Sequence, residues 1–591
     1  MNKDSLLLSN IAGRAPLAGE ERAAYLPPPV RAFYLMLFLT ALALLGCHSR
    51  AELSSGKSRA SLPSASSTSS QPPTSRPPTT GSQPSVASTA ACTAVPDGGG
   101  TVTAALKFKR SFAVGAPEAW LASPAVVDLD GDGLPEIVIA RGGQLSVWTP
   151  AGTLRWSASV STGRIWSSPV VGDFFGDGKL EIAVAARTQV FLYSASGQLM
   201  PGFPVTWRDE VRSLAAGDVD GDGKLELVAL STTTLEVGGQ RDHILVIRAD
   251  GTVQPGFPPN TLGTSGCDLT CTIAGGHDQG VAIGPLGNDA SWDILAAQDN
   301  AYLSWHRGNG VAFDANPIFR GRTKVPGIRF LHDYALAQQG WAPNEQTANQ
   351  AHFTNTAPAI ADLNGDGNRK LIVVGSVQNA AQTDRKRGVA LWVLNSDGSR
   401  PSPWTAPLEF PRYLAGLEDL GATNIVGLTN QVSIADLDAR IPGLDMVFAG
   451  FDGNIHRVTA DRRELWAFPY TSSDHVLTGG VVLADLTGDG VPEIVFTTYS
   501  TEPGVSALYI LDANGKLQQR VPLPGRGAMP VPTVADVDGD GGLDIVISLK
   551  DTEAFGGVLV YSVPGSAPNC LPWPTGRGNL LRNGYYPYAP K

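Results

Sequence analysis

The chain contains 591 residues, with 44 lysines and arginines against 55 aspartates and glutamates, which gives a formal net charge of −11. This acidity argues against a nucleic-acid partner, because a phosphate polymer is bound by a basic surface. The 67 glycines and 44 prolines indicate many turns, and the apolar runs between them are short and lack helical periodicity. This pattern predicts an all-β protein.

The N-terminal segment, residues 1–47, predicts export. Residues 32–46 form an apolar run of 15 residues, shorter than the ~20 residues that a membrane-spanning helix needs, so a signal peptide is favoured. The run ends in the tetrapeptide LLGC at Cys47, which resembles a bacterial lipobox. The resemblance implies that Cys47 carries a lipid anchor in the cell envelope, at the outer membrane because His48 rather than aspartate follows. The alternative is a plain secretory signal with an incidental cysteine.

Residues 48–103 are predicted to form a disordered tether. Serine, threonine, proline, alanine and glycine dominate this segment, and it contains no Phe, Trp or Tyr. A chain of this composition cannot bury enough apolar surface to offset the entropy of ordering. The folded region is therefore expected to cover residues 104–591.

A nine-residue acidic pattern, Asp-x-Asp-x-Asp-Gly-x-x-Glu, repeats through the folded region. Complete copies begin at Asp128 and Asp218, and a third copy, which ends in aspartate, begins at Asp536. Near-copies and two degenerate copies begin at about residues 173, 285, 362, 436 and 485. Oxygen ligands at alternate positions, a glycine for the turn and a late carboxylate form a calcium-binding arrangement. The pattern therefore predicts calcium sites within a repeat fold.

Each repeat has the pattern of four strands. In the first repeat, Ser123–Val127 leads into the acidic loop, Glu136–Ala140 leaves it, and Leu145–Thr149 pairs with Thr153–Ser157 through a turn. Eight units of four antiparallel strands predict a single eight-bladed β-propeller, with seven blades as the alternative. The last unit ends after its third strand, so Leu106–Phe112 is predicted to supply the fourth strand and close the ring.

The acidic loops resemble the FG-GAP/VCBS repeats of integrin-α-type propellers and bacterial surface proteins. In that family, loop positions 1, 3, 5 and 9 supply side-chain oxygens to calcium and position 7 supplies a carbonyl oxygen. The ligands that the resemblance implies are Asp128, Asp130, Asp132, Leu134, Glu136; Asp173, Asp177, Glu181; Asp218, Asp220, Asp222, Lys224, Glu226; Asp362, Asn364, Asp366; Asp485, Thr487, Asp489, Val491, Glu493; and Asp536, Asp538, Asp540, Gly542, Asp544. Four of these loops are expected to be good sites. The loop with Phe175 at position 3 is expected to be weak, and in another loop Lys370 at position 9 would replace the ion.

The chain has five cysteines. If Cys47 is acylated, the remaining four suit an oxidising compartment. Cys267 and Cys271 are close enough in sequence to form a local disulfide, which leaves Cys92, before the repeats, and Cys570, after them. We expect these two to pair and to join the ends of the ring. The alternative is a Cys/His metal site, although the chain has no CxxC spacing.

Candidate ligand-binding residues precede several acidic loops. His352 and His475 each lie ten residues before the start of a loop, Asp474 adjoins His475, and His277 and Asp278 lie in a similar place in the fourth unit. Segments that lead into propeller blades converge at one mouth of the channel, so these groups are candidates for a metal or acid–base cluster. Histidines that only cap or solvate a strand are the more common alternative.

A long departure from the repeat period spans residues 302–350 and contains Trp305 and His306. Insertions on a rigid scaffold often carry binding specificity, and aromatic and polar side chains side by side suit a sugar or a peptide. The alternative is that these aromatics pack the insertion against the blades.

Motifs of common enzymes are missing from the sequence, including HExxH, GxSxG, the phosphate loop and the dinucleotide fingerprint, and no catalytic residue is assigned. The sequence favours an envelope-anchored, calcium-stabilised, monomeric binding or adhesion module for a carbohydrate or protein ligand. A carbohydrate-active enzyme such as a polysaccharide lyase is the main alternative, because some eight-bladed lyases share this calcium-decorated fold. A quinone-cofactor dehydrogenase is a weaker alternative, since tryptophan is not periodic here.

Overall fold

The computed structural model describes Cys92 and residues 100–590 apart from internal gaps. The gaps are residues 116–117, 161–163, 208–209, 233–243, 258–279, 288–290, 298–301, 312–327, 330–349, 354–355, 379–387, 415–416, 419–424, 427, 553–555, 568–569 and 589. Between them the chain forms strands and turns. None of these described residues belongs to a helix long and apolar enough to cross a membrane.

The strands run in chain order around a ring of eight blades, which confirms the predicted all-β propeller. β1 (Lys107–Ala113) comes first. Blade 1 contains β2 (Ala125–Val127), β3 (Glu136–Arg141), β4 (Gln144–Trp148) and β5 (Leu154–Ser159). Blade 2 contains β6 (Val170–Gly172), β7 (Glu181–Ala186), β8 (Gln189–Ser194) and β9 (Val205–Thr206). Blade 3 contains β10 (Glu210–Gly217), β11 (Glu226–Thr232) and β12 (Ile244–Ile247), and blade 4 contains β13 (Val281–Gly284), β14 (Asp293–Ala297), β15 (Tyr302–His306) and β16 (Ile328–Arg329).

The second half of the ring follows the same order. Blade 5 contains β17 (Gln350–His352), β19 (Ala359–Ala361), β20 (Lys370–Gln378), β21 (Val389–Asn395) and β22 (Leu408–Phe410), and small pairings flank it through β18 (Thr356–Ala357), β23 (Leu417–Glu418), β24 (Ile425–Val426) and β25 (Asn430–Gln431). Blade 6 contains β26 (Ser433–Ala435), β27 (Asp445–Ala449), β28 (Asn454–Thr459) and β29 (Glu464–Pro469). Blade 7 contains β30 (Val476–Ala484), β31 (Glu493–Ser500), β32 (Ala507–Leu511) and β33 (Leu517–Pro522), and blade 8 contains β34 (Thr533–Ala535), β35 (Leu543–Ser548) and β36 (Gly557–Val563); β37 (Tyr585–Tyr586) comes last.

Burial differs between the inner and outer strands of each blade. The inner strands, such as β6 and β7, are buried at every residue. The outer strands β5, β29 and β33 instead mix exposed and partly buried residues. Strands covered on both faces require continuous apolar runs, whereas half-covered strands tolerate polar residues on one face. This is why the inner strands are the clearest repeat signal in the sequence.

Neighbouring blades pack face to face and form the core between them. In the layer between blades 1 and 2, Val138 and Val147 pack with Val184 and Phe191. Each fully buried side chain of this size contributes roughly 1.5–3 kcal/mol relative to an exposed one. The packing between blades, rather than any single sheet, therefore stabilises the ring.

The ring is closed by the two ends of the folded chain. β1 pairs antiparallel with β36, so the first strand is the outer strand of blade 8, as the sequence predicts. The structure also contains the disulfide between Cys92 and Cys570, which are separated by 478 residues in the sequence. A covalent link over so long a loop restricts the unfolded chain strongly. The pairing of β1 with β36 and the disulfide together join the first and last blades.

The C-terminal segment, residues 570–588, makes a circuit inside the ring. At blade 7, Trp573 and Leu483 exchange backbone hydrogen bonds of 2.9 and 3.1 Å. At the following blades, backbone amides of the first strands donate in turn to this segment: Val534 to Pro574, Val171 to Leu580, Ala216 to Leu581, Ile283 to Asn583 and Ile360 to Gly584. In blade 5, β37 continues the contact as a parallel partner of β19. The segment thus fills the channel at the end where the first strands lead into the acidic loops.

Candidate metal centres

The acidic loops connect the first and second strands of a blade. In blade 1, the loop between β2 and β3 is folded around the Asp128 carboxylate, which accepts hydrogen bonds from the backbone amides of Gly131 at 2.7 Å and Gly133 at 2.9 Å. Both glycines have positive φ, 76° and 87°, and a Cβ placed at either position would have no atom within 4 Å. Backbone conformation, rather than space, therefore requires glycine here.

The ninth loop position fastens the end of the loop to its beginning. Glu136 Oε2 accepts a hydrogen bond of 2.9 Å from the backbone amide of Leu129. The same bond recurs between Phe174 and Glu181, Val219 and Glu226, Leu486 and Glu493, and Val537 and Asp544. It is present even in the degenerate loop of blade 6, between Leu437 and Asp445. The loop conformation is therefore specified by the chain itself and positions the carboxylates before any ion binds.

Three loops gather carboxylates closely enough to share a cation. In each of these loops, one oxygen from each of three carboxylates lies within 4.8 Å of the others; the groups are Asp128, Asp130 and Glu136, Asp218, Asp220 and Glu226, and Asp536, Asp538 and Asp540. Hard divalent cations prefer such all-oxygen sets. Blades 1, 3 and 8 thus contain the best-formed candidate sites among the described residues.

Two features of the acidic loops favour a bound cation. Asp218 Oδ1 and Asp538 Oδ1 are buried and accept no hydrogen bond of normal geometry, so each has an unsatisfied lone pair. Burial, reinforced by the neighbouring carboxylates, raises the pKa of Glu226 to about 8 and the pKa of Glu493 to about 9. A bound divalent cation would satisfy the orphaned oxygens and favour the ionised carboxylates.

Basic side chains contact all three clusters, and in blade 3 Arg248 Nη2 lies 3.2 Å from Asp220 Oδ2. Arg155 Nη2 lies 2.6 Å from Asp130, and Lys109 Nζ lies 2.6 Å from Asp538 and 3.0 Å from Asp544. Lys109 belongs to β1, so the strand that closes the ring also offsets the negative charge of the acidic loop of blade 8. These pairs lower the repulsion among the carboxylates and would compete with an ion for the same oxygens.

In other loops, basic side chains pair with the carboxylates. In the loop of blade 5, Lys370 Nζ lies 3.5 Å from Asp366 and donates to Asn368 O at 2.9 Å, so an ammonium occupies the position expected for an ion. In the loop of blade 2, Lys179 pairs with Asp177 at 3.0 Å. A third loop is neutralised by an arginine that the loop sequence does not reveal, because the arginine lies outside the loop. In blade 6 the buried Arg457 donates to both oxygens of Asp445, at 2.9 and 2.8 Å.

Only some of the residues that were predicted to bind a carbohydrate or protein ligand lie at the surface. His475 and Asp474 are exposed neighbours, with Nε2 and Oδ1 3.4 Å apart. Trp305 and His306 lie in the core of blade 4, both 0% exposed, and Trp305 donates to Asp293 at 3.2 Å. His352 pairs with Ser376 through the backbone of β17 and β20, and its side chain is not described. His277, Asp278, Cys267, Cys271 and Cys47 lie outside the described residues.

A buried histidine that the sequence did not single out lies in blade 6. His456 is 2% exposed, packs against Phe410 and Phe448, and bonds to Glu464 at 2.8 Å and Asp452 at 3.1 Å. Burial lowers the pKa of His456, but the bonds to the two carboxylates raise it, and the net pKa lies above the ordinary value of 6.5. The histidine therefore stabilises the fold in its charged form.

We expect this histidine to give the protein a measurable pH dependence of stability. Because the folded-state pKa is raised, the contribution is fully present below about pH 6.5 and is lost as pH rises through the folded pKa. Urea unfolding of the wild type and of His456→Gln should therefore converge as pH rises. A difference between the two proteins that is independent of pH would contradict this assignment.

The fold and the loops define a class of protein: an eight-bladed β-propeller with acidic loops on one face. Sequence comparison finds FG-GAP-like repeats at residues 99–184 and 485–547. These segments contain the loops of blades 1, 2, 7 and 8. Together with the eight blades, these matches support an FG-GAP repeat β-propeller.

Comparisons with whole proteins give matches of low sequence identity. No curated protein sequence matches the chain. The structure is similar to the V. cholerae biofilm matrix protein Bap1, at 14% identity and a TM-score of 0.36 over 78% of this chain and 92% of that chain. It is similar to the Bacillus licheniformis rhamnogalacturonan lyase PL11, at 13% identity and a TM-score of 0.43 over 81% and 84%. It is also similar to Saccharomyces cerevisiae Sqt1, at 10% identity and a TM-score of 0.46 over 78% and 100%.

Proposed function

We propose that the chain is a calcium-stabilised, lipid-anchored propeller of the cell envelope that binds a carbohydrate or protein ligand on the face opposite its acidic loops. The observation that carries the proposal is the location of Cys92. Its disulfide partner Cys570 accepts, through its backbone carbonyl, a hydrogen bond of 3.1 Å from the amide of Asp485, the first residue of the blade 7 loop. A tether that ends at Cys92 therefore meets the ring on the acidic-loop face.

In the proposal, the lipid on Cys47 holds the ring at the membrane through the segment that ends at the acidic-loop face. The C-terminal segment fills the channel at the acidic end, so a ligand does not pass through the ring. The face opposite the acidic loops is the surface that remains for a ligand, as is usual for rigid scaffolds that present binding residues on loops.

Anchoring is tested on cells that express the full chain. Metabolic labelling with an alkyne fatty acid should label the wild type and not Cys47→Ser, and the labelled protein should fractionate with membranes. A wild-type protein that stays unlabelled and soluble would contradict the anchor, because the plain secretory signal would then account for the N-terminal sequence.

Ligand binding is tested with the purified protein in calcium on an array of neutral and acidic glycans. We expect retention of one glycan class without change to the glycan. Formation of unsaturated products from an acidic polysaccharide would instead assign the lyase activity that is the alternative. If the protein binds neither a glycan on the array nor any member of a panel of purified envelope proteins, the proposed binding function is wrong.

A further inference from the structure

The face opposite the acidic loops carries a cluster of cationic and aromatic side chains, here called the mouth cluster. Its members lie before the first strands of blades 1, 2 and 8, at the start of β10 in blade 3, or just after the second strands of blades 2 and 8, all of which reach this face. They are Glu118, Trp120, Arg164, Trp166, Arg187, Glu210, Arg212, Arg526, Lys550 and Asp551. No sequence pattern indicates this cluster, because its members come from distant parts of the chain.

Arg164 is the least satisfied cation of the mouth cluster. Its guanidinium carbon lies 4.4 Å from the ring centroid of Trp120 and 5.0 Å from that of Trp166, and the two indoles are 4.8 Å apart. Within the part of the chain that the structure describes, Arg164 forms no hydrogen bond or ion pair. Stacking on aromatic rings stabilises the cation, yet it leaves the planar N–H donors without acceptors. An arginine held in this way is prepared for an oxyanion.

Lys550 is a second cation at the same tryptophan. Its side chain is 2% exposed, and Nζ lies 3.3 Å from the Trp120 ring centroid and 3.6 Å from Glu118. The ammonium donates no hydrogen bond to any residue in the described ranges, and burial lowers the pKa of Lys550 to about 7. Burying a poorly paired ammonium is costly. A nearby anion would offset part of that cost.

Each carboxylate of the mouth cluster is paired with an arginine, and Glu118 is shared between Arg526 and Lys550. Glu210 binds the buried Arg212 at 3.0 Å. Arg526 binds Asp551 at 2.5 Å and Glu118 at 3.0 Å. Because the carboxylates are bound in these pairs, the positive charges of Arg164 and Lys550 beside Trp120 are not balanced by an equal negative charge. The excess is local, because the whole chain has a net charge of −11 and its acidic loops lie on the other face.

We propose that the mouth cluster binds a uronate unit of an acidic polysaccharide. The carboxylate would pair with Arg164, Lys550 would strengthen the positive potential, and the C–H face of the sugar ring would pack on the accessible edge of Trp120. A uronate carries a carboxylate and an apolar ring face on one rigid unit, which matches a cation held beside an indole. This assignment rests on the proposed binding function and names its ligand class.

The test is calorimetric titration of the full protein, in calcium, with oligogalacturonate of defined length. The variant Arg164→Gln removes the charge, Arg164→Lys retains it, and Arg463→Gln removes an exposed arginine that pairs with Asp461 in blade 6. We expect Arg164→Gln to weaken binding about tenfold to a hundredfold, as for loss of a charge-assisted hydrogen bond. Arg164→Lys should be weakened less, and Arg463→Gln should bind as the wild type does.

Further measurements decide the outcome. Methyl-esterified oligogalacturonate, which lacks the charge, should bind weakly, and binding of the acid should weaken as salt is raised. Equal melting temperatures for Arg164→Gln and Arg463→Gln would exclude misfolding. Binding unchanged by Arg164→Gln, or equally tight binding of poly-glutamate, would overturn the uronate site while leaving the binding function intact. Failure to retain any glycan or protein ligand would overturn both.

Discussion

Removal of divalent cations is expected to lower the free energy of unfolding by about 8 kcal/mol, relative to protein held at a calcium concentration 100-fold above the dissociation constant of each site. An ion that binds only the folded state contributes about 2.7 kcal/mol under that condition, and three loops gather three carboxylates within 4.8 Å. The physical reason is that only the folded protein holds the carboxylates of each loop close enough to repel one another and to share an ion. Urea unfolding in calcium and in EDTA measures the difference.

Matched variants assign the effect to particular loops. Asp218→Asn removes a charge from the first position of the blade 3 loop, and Asp362→Asn removes the equivalent charge in blade 5. Both carboxylates accept a backbone hydrogen bond from the glycine at the sixth position, at 3.1 and 2.8 Å. In blade 5, however, Lys370 occupies the loop. Asp218→Asn should therefore reduce the calcium-dependent stability and Asp362→Asn should not. Equal effects, or an unfolding curve that EDTA does not shift, would contradict metal binding at these loops.

Replacement of Arg582 by methionine is expected to destabilise the protein by about 4 kcal/mol, because several buried acceptors would lose a charged donor at once. Arg582 is 1% exposed and donates to the carbonyl of Pro169 at 3.0 Å, to that of Pro124 at 2.9 Å and to Thr575 Oγ1 at 2.6 Å. One side chain thus ties the C-terminal segment to blades 1 and 2. Burial lowers the pKa of Arg582 to about 9.

Arg462→Met is the matched control for this variant. Arg462 and Arg582 both adopt positive φ, 68° and 57°, so backbone strain is similar in the two positions. Arg462 is only partly buried, and its guanidinium donates to the carbonyl of Pro407 at 2.7 Å. We expect a loss below about 1 kcal/mol for this control. Urea unfolding compares the two, and an equally small loss for Arg582→Met would show that the C-terminal segment does not hold the ring together.

The repeat fold was predictable because its signals are local. The spacing of the acidic loops and the apolar runs beside them give the number of blades, even where the loops near residues 285 and 436 have lost ligands. The missing fourth strand of the last unit predicted that Leu106–Phe112 closes the ring, and β1 pairs with β36 in the structure. Loop conformation was equally local, since each loop is ordered by hydrogen bonds within nine residues.

The contacts that join distant parts of the chain were not predictable. In blade 6, the ion pair between Arg457 and Asp445 takes the place of a set of calcium ligands. Arg457 lies on the next strand, so the loop sequence does not indicate the pair. The mouth cluster combines Trp120 with Lys550, which are separated by most of the chain. His306 was predicted to lie in the insertion of residues 302–350, but it belongs to β15 and is buried in blade 4. Burial and pairing of this kind depend on how blades face each other.

The sequence by itself determined the blade architecture, the acidic loops and the cysteines that can join the two ends, because these features depend on residue types and on their place relative to the repeats. The tertiary structure alone decided which loops gather three carboxylates, which are neutralised by lysine or arginine, and how the C-terminal segment fills the channel. The reason is physical: ring closure brings together residues hundreds of positions apart, and their charges and hydrogen bonds are set by distances that only the closed ring defines.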